Sequence, residues 1–194
     1  MSERRHCPPL AVGFGEAITD SPARHSRNGS SLYADPLAWL INDAVEAAVD
    51  DCGADLTTVG DQVGMIAISE SCTVTTMRII AKATPRGRLS PLKFAGANPG
   101  SIAGLSCIQQ GYRGPTLALS TAPTNAVGTA SDIAASWLGR GLARYVLIAT
   151  HRQDNDVHAA RCLVLQAAQA TDAARCELEL HRLAARADKP AVNH

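Results

Sequence analysis

Residues 114–130, GPTLALSTAPTNAVGTA, decide the fold of this 194-residue chain. The apolar run from Pro115 to Ser120 reads as a short buried strand, the next residues as a tight turn, and a helix of small residues opens near Thr124. A strand that turns straight into a helix holds its tip residue against the helix N-terminus, where unpaired backbone N–H groups can bind an oxyanion. Here the tip is Pro123. Proline has no nucleophilic side chain and no N–H to donate. The architecture is that of a nucleophile site; the atom that does the chemistry is missing.

Working outward, Ser90-Pro91-Leu92-Lys93-Phe94, then Asn98, then Ser101-Ile102-Ala103-Gly104-Leu105-Ser106 read as a loop and helix leading into that turn. Downstream, Gly141-Leu142-Ala143-Arg144-Tyr145-Val146-Leu147-Ile148-Ala149 and Arg161-Cys162-Leu163-Val164-Leu165 read as the next two strands. Taken in this order, the segments resemble the ketosynthases of the thiolase superfamily. Those proteins carry a Gly-Pro, a hydrophobic strand, then Thr-Ala-Cys-Ser/Thr-Ser and an Ala-rich helix. The match runs over residues 10–168, and the family's catalytic cysteine falls on Pro123. The SPxxF loop before an Ala-Gly helix is similar to the short chain-length-factor-like branch. Proline in the first turn of a helix is by itself ordinary; the flanking Gly114-Pro115, Thr121-Ala122 and Ser90-Pro91 tip the reading toward a lost nucleophile.

The resemblance implies an α/β, thiolase-like fold: one β-α-β-α-β-α-β-β half with a mixed sheet covered by helices. It implies a degenerate elbow at Thr121, Ala122, Pro123, Thr124 and Asn125, with no catalytic residue. It implies that Thr116, Leu117, Ala118, Leu119 and Ser120 form a dimer-interface strand, and that Phe94, Ala97, Asn98 and Ile102 belong to the wall of an acyl tunnel. The implied partners are an active β-ketoacyl synthase, in a heterodimer, and through that complex an acyl carrier protein. The family's two catalytic histidines belong to its second half, one in a Gly-Thr-rich loop and one in a Gly-His after a lysine. None of His6, His25, His151, His158, His181 and His194 sits in such a context, and the segment from Thr150 to Arg161 is short. Both departures point away from catalysis by the chain alone. Two other readings stay open: a scaffold of the same fold that binds carrier- or coenzyme A-linked acyl groups, and an independent enzyme built on Cys107 or the His151–His158 segment.

Eighteen basic residues balance eighteen acidic ones, so no global field argues for nucleic acid or an anionic membrane as partner. No apolar run is long enough for a membrane span, and MSERRHCPPL lacks the apolar core of a signal peptide, so a cytoplasmic location is expected. Cys7, Cys52, Cys72, Cys107, Cys162 and Cys176 are spread without a CxxC pair and read as small buried hydrophobes. Neither a metal nor a cofactor is expected. In the cluster His151, Asp154, Asp156, His158 the residue types suit a metal, but a polar loop between two strands explains them equally well.

Residues 1–9 read as a loose arm, 10–170 as the ketosynthase-like domain and 171–194 as a charged tail that permits helix. Leu10 to Thr19 is strand-like; its Gly13-Phe14-Gly15 lacks the third glycine of a dinucleotide fingerprint. The clearest helix starts after a loop over 20–34. Asp35 caps it, Pro36 fits its first turn, Leu37, Leu40, Ile41, Ala44, Val45, Ala48, Val49 and Cys52 form one stripe, and Gly53 ends it. A strand over 64–69, a helix over 73–83, a Pro/Gly-rich loop over 84–99 and a helix over 100–110 follow, then a helix over 125–138 after the elbow. Lys82, Arg86, Arg88 and Lys93 read as a solvated loop, or as a contact for an acidic carrier protein.

Overall fold

Asp35 is the hinge on which the local structure turns. Its buried carboxylate accepts from the Leu37 N–H at 2.9 Å and so caps α1 (Pro36–Cys52), which Gly53 ends at a φ of 66°. The second carboxylate oxygen accepts from the Thr76 N–H at 2.8 Å, tying the start of α2 (Val74–Ala83) to the same point. The computed structural model describes residues 9–27, 33–87 and 90–167.

Five strands form one mixed sheet: β1 (Pro9–Thr19), β2 (Val63–Ser69), β3 (Thr116–Leu119), β4 (Tyr145–Asp154) and β5 (Val157–Ala167), in the spatial order β1-β5-β4-β2-β3. β2 runs parallel to β3 and β4, while β5 is antiparallel to β4 and β1. All of β2 is buried, as expected for a central strand covered on both faces. One face packs Met65, Leu147 and Val164 against Leu40, Ile41 and Val45 of α1 and Ile102 of α4 (Ser101–Gln110). The other packs Ile66, Ile68, Val146 and Leu165 against Ala126, Ala130 and Ala134 of α5 (Pro123–Gly139). The element sequence is therefore the thiolase-half order that the resemblance implies.

Three expectations need correction. The region 84–99 is not all loop: a 3-10 turn covers Thr84–Arg86 and α3 (Pro91–Gly96) follows, with Ser90 capping it by accepting from the Lys93 N–H at 3.5 Å and Pro91 in its first turn. The His151–His158 segment is not a loop either. β4 continues to Asp154 and β5 begins at Val157, so both histidines lie on strands of a hairpin whose turn uses Asn155 at a φ of 52°. Pro9 belongs to β1, not to a loose arm. The helix-permitting tail lies outside the described residues.

The glycine pair of the incomplete fingerprint has a packing role. β1 and α1 touch at Gly13 and Gly15, opposite the small residues Ala44 and Ala48 of the helix stripe. A Cβ at Gly15 would lie 2.2 Å from the Ala44 carbonyl oxygen and 2.3 Å from the Ala48 nitrogen. The spacing that resembles a phosphate loop is a notch for a helix.

Candidate functional site

The three parallel strands end side by side, and the elbow lies where they end. Ser69 closes β2, Ser120 follows β3, and His151 and Arg152 lie in the last third of β4. In open parallel sheets this carboxyl-end crevice is where ligands bind. A cavity of about 550 Å³ opens there, walled by Glu70 and Ser71 after β2, Ala122, Pro123 and Thr124 of the elbow, and His151 and Arg152 of β4. β3 ends at Leu119 and α5 begins at Pro123, with Ala122 extended at its N-cap (φ −61°, ψ 139°). The elbow is thus unstrained, and Pro123 sits in the first turn, where its missing N–H is one that no helix residue would pair. Asn125 donates its N–H to the Ala122 carbonyl at 3.0 Å. Thr121 and Thr124 flank the tip.

Beneath the cavity runs a chain of buried polar contacts. The Ser69 hydroxyl accepts from the Cys72 N–H at 3.0 Å and lies 3.0 Å from His151 Nδ1. His151 Nε2 lies 3.1 Å from His158 Nδ1, within hydrogen-bond distance, with the rings stacked at 5.3 Å between centroids. Ser71, which faces the cavity, has its hydroxyl 3.4 Å from His151 Nδ1. Cys72, at a φ of 42°, donates its thiol to the Ser69 carbonyl at 3.0 Å and lies 3.3 Å from the Ser120 hydroxyl. The ends of β2, β3 and β4 are laced together by these bonds.

This chain is poorly suited to proton transfer. Burial, and then the neighbouring His158, lower the His151 pKa to about 3, so the ring is neutral at ordinary pH. Burial lowers His158 as well, against a smaller upward pull from Asp156. A general base needs a pKa near the working pH. Among the described residues no group of three or more His, Cys, Asp or Glu is arranged to hold a metal ion. Cys107, the other candidate nucleophile, is buried on α4 with its thiol pKa raised by that burial, which disfavours the thiolate.

The remaining expected site residues are spread out. Leu117 and Leu119 of β3 face the α5 side and Ala118 the α1 side, all half-buried, with Thr116 exposed. Among the described residues β3 pairs with β2 alone and no strand lies on its other edge. Phe94 is 71% exposed on α3, Ala97 is half-buried, and Ile102 is buried in the core. Only Asn98 of these four lines a described cavity, a small groove of about 160 Å³ beside Tyr33, Gly104 and Ile108. Within the single chain the four do not form one wall. Sequence reasoning missed Ser69, Ser71 and Arg152, and it placed His151 in a loop between two strands. The apolar-to-polar switch after Ala149 hid a strand that simply runs out of the core into the crevice.

No protein-family model matches the sequence, and no curated protein matches it. Solved structures do. The ishigamide ketosynthase/chain length factor superposes with a TM-score of 0.67 at 11% identity, covering 86% of this chain and 64% of that one. The type II polyketide synthase acyl-carrier protein–ketosynthase complex AntDE:AntF gives 0.61 at 13% identity over 82% and 62%. The ketosynthase ApeO with its chain length factor ApeC from Xenorhabdus doucetiae gives 0.57 at 12% identity over 84% and 80%. The chain therefore has the thiolase-like fold of these ketosynthase structures, and it spans less than two thirds of the first two that it matches. No described helix is long and apolar enough to cross a membrane.

Proposed function

We propose that the chain is a non-catalytic, chain-length-factor-like subunit of type II polyketide or polyene biosynthesis. It pairs with an active β-ketoacyl synthase in the cytoplasm, receives acyl carrier protein through that complex, and helps shape the acyl tunnel. The observation that carries this reading is Pro123 at the tip of an otherwise intact strand–turn–helix elbow, facing a cavity. The edge strand β3 and the exposed Phe94 then meet the partner, and Ala97, Asn98 and Ile102 stand behind the tunnel surface. Co-expression with an active type II ketosynthase tests it. A one-to-one complex is expected, with formation of a carrier-bound condensation product that is lost when the ketosynthase's own cysteine is removed. Full turnover without that cysteine would reverse the assignment of roles.

Two variants sharpen the reading. Pro123→Cys should restore a thiol at a helix N-terminus, and therefore react with a thiol-directed reagent, yet show no condensing activity in the complex whose ketosynthase cysteine is gone. His151, the imidazole that lines the same cavity, is held neutral by burial and has a polar neighbour at both ring nitrogens, and a nucleophile without its partners loses most of its rate advantage. Phe94→Ala should shift carrier-bound products longer by about one two-carbon unit, because a truncated ring leaves room that the site need not close. Mass spectrometry of the products reads it, and an unchanged distribution takes Phe94 out of the tunnel.

The cavity itself favours a second reading, a scaffold that binds carrier- or coenzyme A-linked acyl groups without setting their length. Saturable binding of acyl-coenzyme A by the chain alone, with unchanged product lengths in the Phe94→Ala complex, would select it.

A further inference from the structure

A ten-residue helix is stable in water only when one face is packed, yet α2 buries Thr76 alone. Its Met77 and Ile79 are 53% and 43% exposed, and Leu92, Phe94 and Ile108 on the following two helices are 62%, 71% and 64% exposed. Thus five of the seven large apolar side chains exposed among the described residues lie between positions 77 and 108. The three helices that carry them adjoin: the Thr73 hydroxyl donates to the Ala97 carbonyl at 2.7 Å, joining the start of α2 to the end of α3, and the Ser101 hydroxyl donates to the Gly96 carbonyl at 3.3 Å, joining α3 to α4.

The charge that these helices themselves carry has one sign. Residues 71–131 contain no Asp or Glu, against six bases: Arg78, Lys82, Arg86, Arg88, Lys93 and Arg113. All eighteen acids of the chain lie outside that stretch. Arg78, Lys82, Arg86 and Lys93 are exposed, and none takes part in a described ion pair.

We infer that the α2–α3 face receives a non-identical protein subunit whose contact surface sets acidic side chains around an apolar centre, and that this face does not pair with a second copy of itself. A two-fold homodimer sets the same patch against itself. Here that would bring eight cations together with no counter-charge from these helices, and like charges facing across an interface oppose association. The apolar centre still calls for cover. An unlike partner with the opposite charge meets both demands. The inference rests on the proposed role as a partner subunit, and adds the sign of the partner's surface and the exclusion of self-pairing.

The test uses the full chain, alone and with an active type II ketosynthase. By sedimentation velocity, the wild type and Phe94→Asp should show the same self-association, since neither pairs through this face. A wild-type dimer abolished by Phe94→Asp would overturn the inference. With the ketosynthase, the triple variant Arg78→Glu, Lys82→Glu, Lys93→Glu should bind about tenfold or more weakly at low salt, with the gap closing at about 0.5 M salt as screening removes the charge contribution. Unchanged thermal melting establishes that the triple variant folds, as expected for exposed positions. Undiminished binding by the triple variant would overturn the inference and leave the heterodimer reading standing. Absence of any complex would sink the heterodimer reading, and the sedimentation comparison would still decide self-pairing.

Discussion

Gly15→Val should abolish cooperative folding, or cost at least about 4 kcal/mol of a stability that is typically about 5–15 kcal/mol. The atoms that a Cβ at Gly15 would meet, the Ala44 oxygen at 2.2 Å and the Ala48 nitrogen at 2.3 Å, belong to the backbone of α1 and have no rotamer to escape into. Relief requires α1 to lift off β1, and with it Leu40, Ile41 and Val45 leave the sheet. Shifting β1 instead breaks its ladder with β5, where Gly15 stands opposite Cys162. Urea titration followed by circular dichroism measures the loss. Gly104→Ala is the matched control: nothing lies within 4 Å of the new methyl group and the site is helical, so its stability should hold or rise by about 0.5–1 kcal/mol. A loss below about 1 kcal/mol in Gly15→Val would mean that α1 does not rest on β1 as described.

The Gly13-x-Gly15 pair also marks the limit of what the sequence could reveal. Local signals were legible because their causes are local. The cap at Asp35, the α1 stripe and the αL glycine at 53 lie within a few positions of what they determine, and the elbow's strand and helix are contiguous. What two glycines do, however, depends on what approaches them from thirty residues away. Asp35 shows both sides: its bond to the Leu37 N–H is readable as a cap, while its bond to the Thr76 N–H, 41 positions on, is not.

The candidate site divides the same way. Pro123 at the tip was legible, whereas the His151–His158 pair was not, because polar residues at strand ends look like loop until pairing extends the ladder past the apolar core. In β4 that pairing reaches Asp154 opposite Val157. Ser90-Pro91 carried a helix-start signal that the surrounding Pro and Gly obscured. The four tunnel-wall residues came from the resemblance and not from any pattern. On this chain they differ in exposure, from Phe94 at 71% to Ile102 in the core.

Lowering the pH from 7 to 5 should destabilise the protein by about 2 kcal/mol through His151 alone. The unfolded ring titrates near its ordinary value of 6.5, while in the fold burial and His158 hold it down to about 3. Because the folded pKa is depressed, the unfolded state binds the extra proton first as the pH falls. Stability is therefore whole above about 6.5 and is lost progressively below it, until the folded ring also protonates near 3. His158, lowered by burial, adds to the loss in the same direction, with Asp156 opposing it. Glu46, held low chiefly by its hydrogen bond to Arg27, contributes stability that fades as the pH falls from its ordinary value of 4.5 downward, below this window. His151→Gln removes the titrating ring and keeps hydrogen-bonding capacity toward Ser69 and His158, so its stability should change much less between the two pH values, even if it is lower at pH 7. Urea denaturation of both proteins at pH 7 and 5 measures the difference. Equal pH dependence in the two would show that His151 is not the buried neutral group tying β2 to the β4–β5 hairpin beneath the elbow, and that the crevice floor is open to water.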